Sequence, residues 1–326
     1  MPKIVVTQPS VSSADDPRLD PFRAAGWSVV HEPSGAFASP EHLLEIVQGA
    51  DAVIASSETY SRAVLERADT LKHVARWGVG FDQVDVPAAT DLGVLVTTTQ
   101  GGNDWGVADH AFALIFALAR RVVENDAVVR AGGWKRPPGR DVWRKTLGVV
   151  GLGRIGRGVA QRASGFEMRV LAYEPYPDRA FCEKWGVELV SLEELLGRSD
   201  FVTLHAPGGG DNVHLMNRER LALMKPTAYL VNTARGSLID EDALYAALTA
   251  GTIGGAGLDV REAEPPKDTR FSAMPNVVLT AHVAGVTVET GEAMTAMAVE
   301  SILQGARGEQ PHGLLNPEVW GHRRRF

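Results

Sequence analysis

The segment TLGVVGLGRIG, residues 146–156, decides the fold of this chain. Its apolar first half predicts a buried strand, and residues 155–164 predict a helix that begins directly after the glycines. Gly151, Gly153 and Gly156 have the spacing GxGxxG. A strand, a glycine loop and a helix in this order form a dinucleotide-binding unit, because glycines allow a tight turn and a close approach of backbone to a pyrophosphate at the helix N-terminus.

The next predicted strand, residues 169–173, leads into Glu174, which lies 18 residues after Gly156. A carboxylate at this place accepts hydrogen bonds from a ribose diol and repels a 2′-phosphate. The residues that follow offer no cation before Arg179. A bare GxGxxG is a weak signal. The strand, the helix and the acid all fall at their expected places, and this favours a Rossmann unit over an ordinary glycine-rich turn. The acid, with no cation close behind it, also favours NAD over NADP as the cofactor.

Length and composition limit the protein class. At about 150 residues per domain, 326 residues predict two domains. A hydrophobic content of 44% and a charged content of 22% exclude a disordered or fibrous chain. The net charge of −7 argues against a nucleic-acid partner. Only one cysteine is present, Cys182, which excludes an intrachain disulfide and fits a reducing compartment.

No signal sequence or membrane span is apparent, since the start MPKIVVTQ lacks a secretory pattern and the longest apolar stretch, Ala111 to Ala119, is about half a span. The nine histidines are dispersed and HExxH is missing, so no metal site is predicted. We therefore expect a cytoplasmic protein without a membrane partner.

Short β-branched runs alternate with helical patterns along the chain, which predicts βαβ units and parallel sheets. Two long helices are predicted, one from Asp104 to Val123 and one from Val288 to Gln304. The second could cross back to the first domain, which would then be discontinuous. The predicted strands cover residues 3–7, 27–32, 52–56, 73–77, 94–98, 147–151, 169–173, 201–205, 228–232, 256–260 and 277–280.

Other segments carry a resemblance to a known family. They are RWGVGFDQVDV (76–86), GVADHAFALIFALAR (106–120), LHAP (204–207), LMKPTAYLVNTARGSLIDEDAL (223–244), GAGLDVREAEP (255–265), NVVLTAHVAG (276–285) and LLNPEVW (314–320). With the glycine loop, they make the chain resemble the D-isomer-specific 2-hydroxyacid dehydrogenases. That family includes phosphoglycerate dehydrogenases, glyoxylate/hydroxypyruvate reductases and D-lactate dehydrogenases.

The resemblance implies two Rossmann-like, doubly wound parallel-sheet domains with a cleft between them. A flavodoxin-like substrate-binding domain would comprise residues 1–101 and 287–326, and an NAD-binding domain residues 102–286. It also implies a homodimer, with the apolar helix that begins at Asp104 packed across the two-fold axis. The implied reaction is NAD-dependent interconversion of a small 2-keto acid and the D-2-hydroxy acid.

The resemblance further implies a catalytic set of Arg235, Glu264 and His282. A guanidinium can bind the substrate carboxylate and polarise the carbonyl beside it. A protonated imidazole can deliver a proton to the carbonyl oxygen as hydride arrives, and it is the base in the oxidative direction. A carboxylate on the other ring nitrogen would orient the imidazole and favour its charged form.

Two glutamates compete for that last role. The family spacing of five residues from Asp259 favours Glu264, and Glu262 stays open as the alternative. Arg235, Asp259 and His282 each follow a predicted parallel strand, where open α/β sheets bind ligands.

The remaining site residues are also carried over from the resemblance. The backbone N–H groups of Gly78, Val79 and Gly80 would bind the substrate carboxylate, together with Arg235 and with Asn103 in the cleft. The cofactor would be held by Gly151, Gly153, Arg154, Ile155, Gly156, Glu174, His205, Ala206, Pro207, Thr233, Asp259, His282 and Gly285.

Departures from the family leave some questions open. The segment SSETYS (56–61) lacks the arginine of many phosphoglycerate-specific members, and this weakens a phosphoglycerate assignment. Arg76 could bind substrate or form a surface ion pair. Trp105 and the stretch PGGGDN (207–212) replace more typical residues near the site. Two alternatives remain: an NADP-preferring glyoxylate/hydroxypyruvate reductase, and a dinucleotide-sensing scaffold like the C-terminal-binding corepressors, which resemble the same family.

Overall fold

The computed structural model describes residues 1–33 and 39–326 and separates into two compact units. The first unit consists of Met1–Asn103 and Val286–Phe326, and the second of Asp104–Gly285. Each unit contains one parallel sheet. The predicted α/β class with two doubly wound parallel sheets is therefore confirmed.

The first unit has five parallel strands, which are β1 (Lys3–Val6), β2 (Ser28–His31), β3 (Ala52–Ala55), β4 (His73–Arg76) and β5 (Leu95–Thr98). Their order in the sheet is β2-β1-β3-β4-β5, the flavodoxin-like order. Its helices are α1 (Asp20–Ala24), α2 (Pro40–Val47), α3 (Arg62–Arg67), α4 (Val86–Asp91) and, from the end of the chain, α12 (Val288–Arg307). Helix α12 begins at a capping box between Thr287 and Thr290, and its Thr295 accepts a hydrogen bond from Trp77 Nε1 at 3.1 Å.

The second unit has seven parallel strands, which are β6 (Thr146–Val150), β7 (Arg169–Tyr173), β8 (Val187–Leu189), β9 (Phe201–Leu204), β10 (Tyr229–Asn232), β11 (Gly255–Leu258) and β12 (Val277–Leu279). The order in the sheet is β12-β11-β10-β9-β6-β7-β8. The chain adds strands on one side of β6 and then, from β9 onward, on the other side, and Rossmann sheets bind their ligand at this switch point between β6 and β9. Its helices are α5 (Asp104–Ala119), α6 (Val122–Arg130), α7 (Arg154–Ser164), α8 (Arg179–Trp185), α9 (Leu192–Arg198), α10 (Arg218–Leu223) and α11 (Glu241–Ala250).

The prediction of one continuous helix from Asp104 to Val123 is wrong. Helix α5 ends at Ala119, and Arg121 takes the left-handed conformation, with φ 52°, before α6 begins. The Ala119 carbonyl accepts a hydrogen bond of 2.7 Å from the backbone N–H of Arg140 instead of one from the next helical turn. A loop that is distant in sequence therefore ends the helix.

Helix α5 is buried on several sides because it lies over the sheet and against a neighbouring helix. A Cβ added at Gly257 of β11 would lie 3.1 Å from Leu114 Cβ, and one at Gly158 of α7 would lie 3.2 Å from Ala108 Cβ. Such close approach explains why this helix is apolar almost all round. Within the described ranges, no helix has the length and apolarity to cross a bilayer.

Candidate active site

The residues predicted for cofactor binding and catalysis in the second unit follow the carboxyl ends of adjacent strands. Parallel strands that pair in register end at the same edge of a sheet, so these residues share one edge. In sheet order from β12 to β7, the residues along this edge are His282, Asp259, Thr233 with Arg235, His205 with Ala206 and Pro207, Gly151 with its loop, and Glu174.

A histidine–carboxylate pair lies at the β12 end of this edge. His282 Nδ1 and Glu264 Oε2 are 2.6 Å apart. Partial burial raises the pKa of Glu264, but the hydrogen bond to His282 and the positive charges of His282 and Arg235 outweigh it, so the net pKa lies below the ordinary value. The His282 side chain is 55% exposed, and among the described residues no protein group is hydrogen-bonded to its Nε2.

His282 has an unusual backbone conformation, with φ 53°, and a buried carboxylate holds the turn around it. Asp259 Oδ1 accepts hydrogen bonds from Thr280 Oγ1 at 2.5 Å and from Val283 N at 2.9 Å, and Oδ2 accepts one from Ala284 N at 2.9 Å. The backbone N–H of His282 donates to the Asp259 carbonyl at 2.8 Å. Both carboxylate oxygens of Asp259 are thus engaged within the protein, and direct cofactor contact by this side chain stays a prediction.

The loop that carries Arg235 is fixed from its own strand. Asn232, which is fully buried, accepts a hydrogen bond from Ala234 N at 3.0 Å and donates one to the Arg235 carbonyl at 2.8 Å. The next residue, Gly236, lies against another loop, since a Cβ there would be 2.0 Å from the carbonyl carbon of Arg261. Only glycine allows this approach, which brings the loops of Arg235 and Glu264 together.

A buried ion pair anchors the loop of Glu264. Arg261 binds Glu241 through two hydrogen bonds, Nε to Oε1 at 2.7 Å and Nη2 to Oε2 at 2.8 Å. Burial raises the pKa of Glu241, but the hydrogen bonds from Arg261 and from the backbone N–H of Glu262, together with the charges of Arg261 and Arg270, outweigh it, so the net pKa is lowered. The backbone N–H of Arg261 donates to Glu264 Oε1 at 3.0 Å, so the anchored loop also orients that carboxylate.

The two glutamates that the sequence left as alternatives have different partners. Glu264 is bound to His282, whereas Glu262 Oε1 is 2.5 Å from Nε2 of His214. His214 lies after the stretch PGGGDN and was not predicted to take part in the site. The sequence could not predict the contact of His214 with Glu262, because these residues are 48 positions apart in the chain.

The glycine loop after β6 fits the pyrophosphate of a dinucleotide. A Cβ at Gly151 would lie 2.7 Å from Ala206 N, and one at Gly156 would lie 2.1 Å from the Gly151 carbonyl oxygen. Gly153 is the N-cap of α7 without a side-chain cap, and a Cβ there would meet no atom within 4 Å. The N-terminus of α7 therefore offers N–H groups and open space to an anion.

Other residues along the edge also suit a dinucleotide. Glu174 accepts hydrogen bonds from Leu152 N at 2.8 Å and from Tyr176 N at 3.0 Å, which joins the carboxylate to the glycine loop. A carboxylate has about four acceptor positions, so capacity for a ribose diol remains. The hydroxyl of Thr233 is buried without a hydrogen-bond partner among the described residues, as expected of a group reserved for a ligand.

Two of the three other predicted cofactor residues have side-chain partners within the unit. Arg154 Nε is 2.5 Å from Asp104 Oδ2, although the Arg154 side chain is largely exposed. Burial lowers the pKa of His205 to about 3, so its ring is neutral and shares a hydrogen bond of 2.9 Å with Thr203. Ile155 belongs to the first turn of α7. Their contacts with a cofactor stay predictions.

The predicted substrate residues other than Arg235 lie in the first unit. Gly78 has φ 138°, and its N–H donates to Thr99 Oγ1 at 2.8 Å. Asn103 Oδ1 is buried without a hydrogen-bond partner within the described residues. The assignment of Gly78, Val79, Gly80 and Asn103 to substrate stays a prediction.

Sequence reasoning missed Gly208 and the Arg261–Glu241 pair. In the sequence, the run of three glycines at 208–210 differs from the residues typical of the family and indicates no contact. In the structure, a Cβ at Gly208 would lie 2.9 Å from Arg235 Cγ. The sequence shows a glycine at 208 with no evident reason for it, but its contact with Arg235 could not be inferred from the sequence.

A dinucleotide unit with a histidine–carboxylate pair and an arginine-bearing loop at the far end of the same sheet edge has the groups that hydride transfer to a carbonyl requires. The fold and the site thus define an NAD-dependent oxidoreductase that acts on a CH–OH group. Residues 112–284 match the family model described as the D-isomer specific 2-hydroxyacid dehydrogenase, NAD binding domain. The chain belongs to this family.

Relatives are similar over almost the whole length. A glyoxylate reductase of Korarchaeum cryptofilum is 46% identical over 86% of this chain and 87% of its own. A glyoxylate reductase of Pyrococcus furiosus is 40% identical over 98% of this chain and 96% of its own. The crystal structure of the TT0316 protein from Thermus thermophilus superposes with a TM-score of 0.87 at 40% identity, covering 96% of this chain and 99% of that one.

Proposed function

We propose that this chain reduces a small 2-keto acid to the D-2-hydroxy acid with NADH, and that glyoxylate is among its substrates. The observation that carries the proposal is the 2.6 Å pair of His282 and Glu264, held beside the loop of Arg235. The names of the two archaeal relatives support glyoxylate as the first acid to test.

The roles of the residues follow from their chemistry. The bound dinucleotide supplies the hydride that the carbonyl carbon accepts. Arg235 binds the carboxylate and polarises the carbonyl. His282, charged, donates the proton from Nε2 to the carbonyl oxygen, so that the keto group becomes a hydroxyl. Glu264 remains ionised near neutral pH, since its pKa is lowered, and it stabilises the charged ring.

The site supports NAD over NADP. The carboxylate of Glu174 lies at the end of β7, where the adenosine ribose of a Rossmann ligand binds, and it repels an added phosphate. This carboxylate also accepts a hydrogen bond from the N–H of Leu152 in the glycine loop, so the same side chain orients the loop and faces the ribose.

We also propose a homodimer in the cytoplasm. Helix α6 contains four valines but has no buried residue. Val122, Val123 and Val129 are each at least half exposed. Such an apolar surface favours a partner, and a second copy is the partner that the family resemblance implies. The buried free thiol of Cys182 is compatible with a reducing compartment.

We expect different kinetic effects at Arg235 and His282. Arg235→Ala should raise KM and lower kcat together, because the guanidinium acts in both ground and transition states. Arg235→Lys should recover only part of the activity. His282→Ala should lower kcat by about 10²–10⁴-fold with a smaller change in KM. Glyoxylate and other 2-keto acids are assayed by NADH absorbance, with His312→Ala, an exposed histidine, as the control.

Near-normal kcat in His282→Ala would remove the proposed proton donor. A wild-type chain that binds NADH but reduces none of the acids would contradict the proposed function. That result would favour the dinucleotide-sensing scaffold instead.

Glu264→Gln should change the pH profile of reduction. The amide keeps a hydrogen bond to the ring but does not stabilise its charge, so the imidazolium is lost at a lower pH than in the wild type. The basic limb of kcat for keto-acid reduction should therefore move to lower pH. Glu262→Gln is the matched control, since Glu262 binds His214. A shift in Glu262→Gln but not in Glu264→Gln would reverse the assignment.

Glu174→Ala should weaken NADH binding by about tenfold and narrow the preference over NADPH, because a charged hydrogen-bond acceptor and a repulsive charge are both removed. Dissociation constants for the two cofactors measure this. Glu183→Ala removes one exposed carboxylate from α8 and should change neither constant. Tighter binding of NADPH than of NADH by the wild type would show that the carboxylate does not select the cofactor.

Sedimentation should give about 70 kDa, twice the 35.0 kDa of the chain. The double substitution Val123→Glu with Val129→Glu places charges on the exposed face of α6 and should yield monomers. Glu289→Gln, an exposed change at the start of α12, should leave the mass at the dimer value. A stable monomer of the wild type at micromolar concentration would exclude the dimer.

A further inference from the structure

Gly208 lies directly against the side chain of Arg235. A Cβ built on Gly208 would be 2.9 Å from Arg235 Cγ, 3.1 Å from Arg235 Cβ and 3.2 Å from Ser237 Oγ. Carbon atoms in ordinary contact are about 3.5–4.0 Å apart. The first two contacts involve the base of the arginine side chain rather than its flexible end. Any residue other than glycine at 208 must therefore displace the stem that carries the guanidinium.

Backbone conformation does not explain this glycine. Gly209 and Gly210 have φ values of 79° and 52°, in the left-handed region that favours glycine. Gly208 is outside that region, so a positive φ does not account for the glycine there. What requires glycine at 208 is the space beside Arg235.

Residues 208–216, which we name the glycine strap, are fixed along the loop of Arg235. The His214 N–H donates to the Ser237 carbonyl at 2.7 Å, and the Met216 N–H donates to the Leu238 carbonyl at 2.8 Å. The side chain of His214 binds Glu262 at 2.5 Å, in the loop that also carries Glu264. These contacts hold residues 214–216 of the strap beside the loops of Arg235 and Glu264.

We propose that Gly208 is a positioning residue for Arg235, with its bare backbone forming the surface against which the arginine stem rests. This rests on the proposed function, in which Arg235 holds the keto acid. Relief of a 2.9 Å contact requires a displacement of about 0.6–1 Å. A shift of about 1 Å in a group that orients a substrate lowers turnover by about 10²-fold.

The first test is Gly208→Ala, assayed with glyoxylate and NADH. KM should rise and kcat should fall, with kcat/KM lower by about 10–100-fold. The dissociation constant of NADH should stay within about twofold, and the melting temperature should stay near the wild-type value. The control is Gly197→Ala on α9, where a Cβ meets its nearest atom at 3.8 Å and kinetics should be unchanged.

A double-mutant cycle separates positioning from a general disturbance of the loop. In an Arg235→Ala background there is no guanidinium to displace, so Gly208→Ala should change kcat/KM by less than about threefold. The proposal would be overturned if Gly208→Ala lowered kcat/KM equally in the wild-type and Arg235→Ala backgrounds. It would also be overturned if Gly208→Ala alone had wild-type kinetics. A wild-type chain without any keto-acid reduction would overturn the proposed function and this inference together, so the two failures are distinguishable.

Discussion

Asp259, which follows β11 and is buried, connects the ends of three strands through its backbone and its carboxylate, and the position of His282 depends on it. Its backbone N–H donates to the Asn232 carbonyl at the end of β10, and its carbonyl accepts the N–H of His282 after β12. Its side-chain oxygens bind the N–H groups of Val283 and Ala284. A left-handed conformation at a non-glycine residue costs about 1–3 kcal/mol and persists only where surrounding contacts enforce it. Asp259 supplies those contacts, so the position of His282 belongs to the folded sheet rather than to a bound ligand.

Much of this arrangement could be predicted from the sequence. The β-branched runs lie close to the observed strands, because strands buried on both faces are apolar throughout and the periodic signal of the helices between them is clear. The GxGxxG loop and Glu174 fixed which strand starts the Rossmann unit. Once the strands and their parallel arrangement are predicted, the residues that follow each strand are expected to share the carboxyl edge of the sheet.

What the sequence could not predict depends on contacts between distant segments. Helix α5 ends at Ala119 because the loop at Arg140 takes its last carbonyl, and neither glycine nor proline marks the break. Strand β8 is not among the predicted strands, because Glu188 interrupts its short apolar run. Glu262 and Glu264 lie two positions apart in one loop but bind different histidines, so the sequence alone could not show which glutamate binds His282. Gly208 could be seen only as an unexplained glycine.

The groups of the second unit that we propose to be catalytic are therefore held in place by contacts within the protein. Gly236 brings the loop of Arg235 into backbone contact with the loop of Glu264, and Glu264 in turn is bound to His282. Each loop is fixed by buried polar groups or by glycine contacts rather than by side-chain packing alone. Preorganised charges stabilise a developing oxyanion without reorganisation during the reaction. The glycine strap extends the same arrangement, since Gly208 lies against the Cβ and Cγ atoms of Arg235.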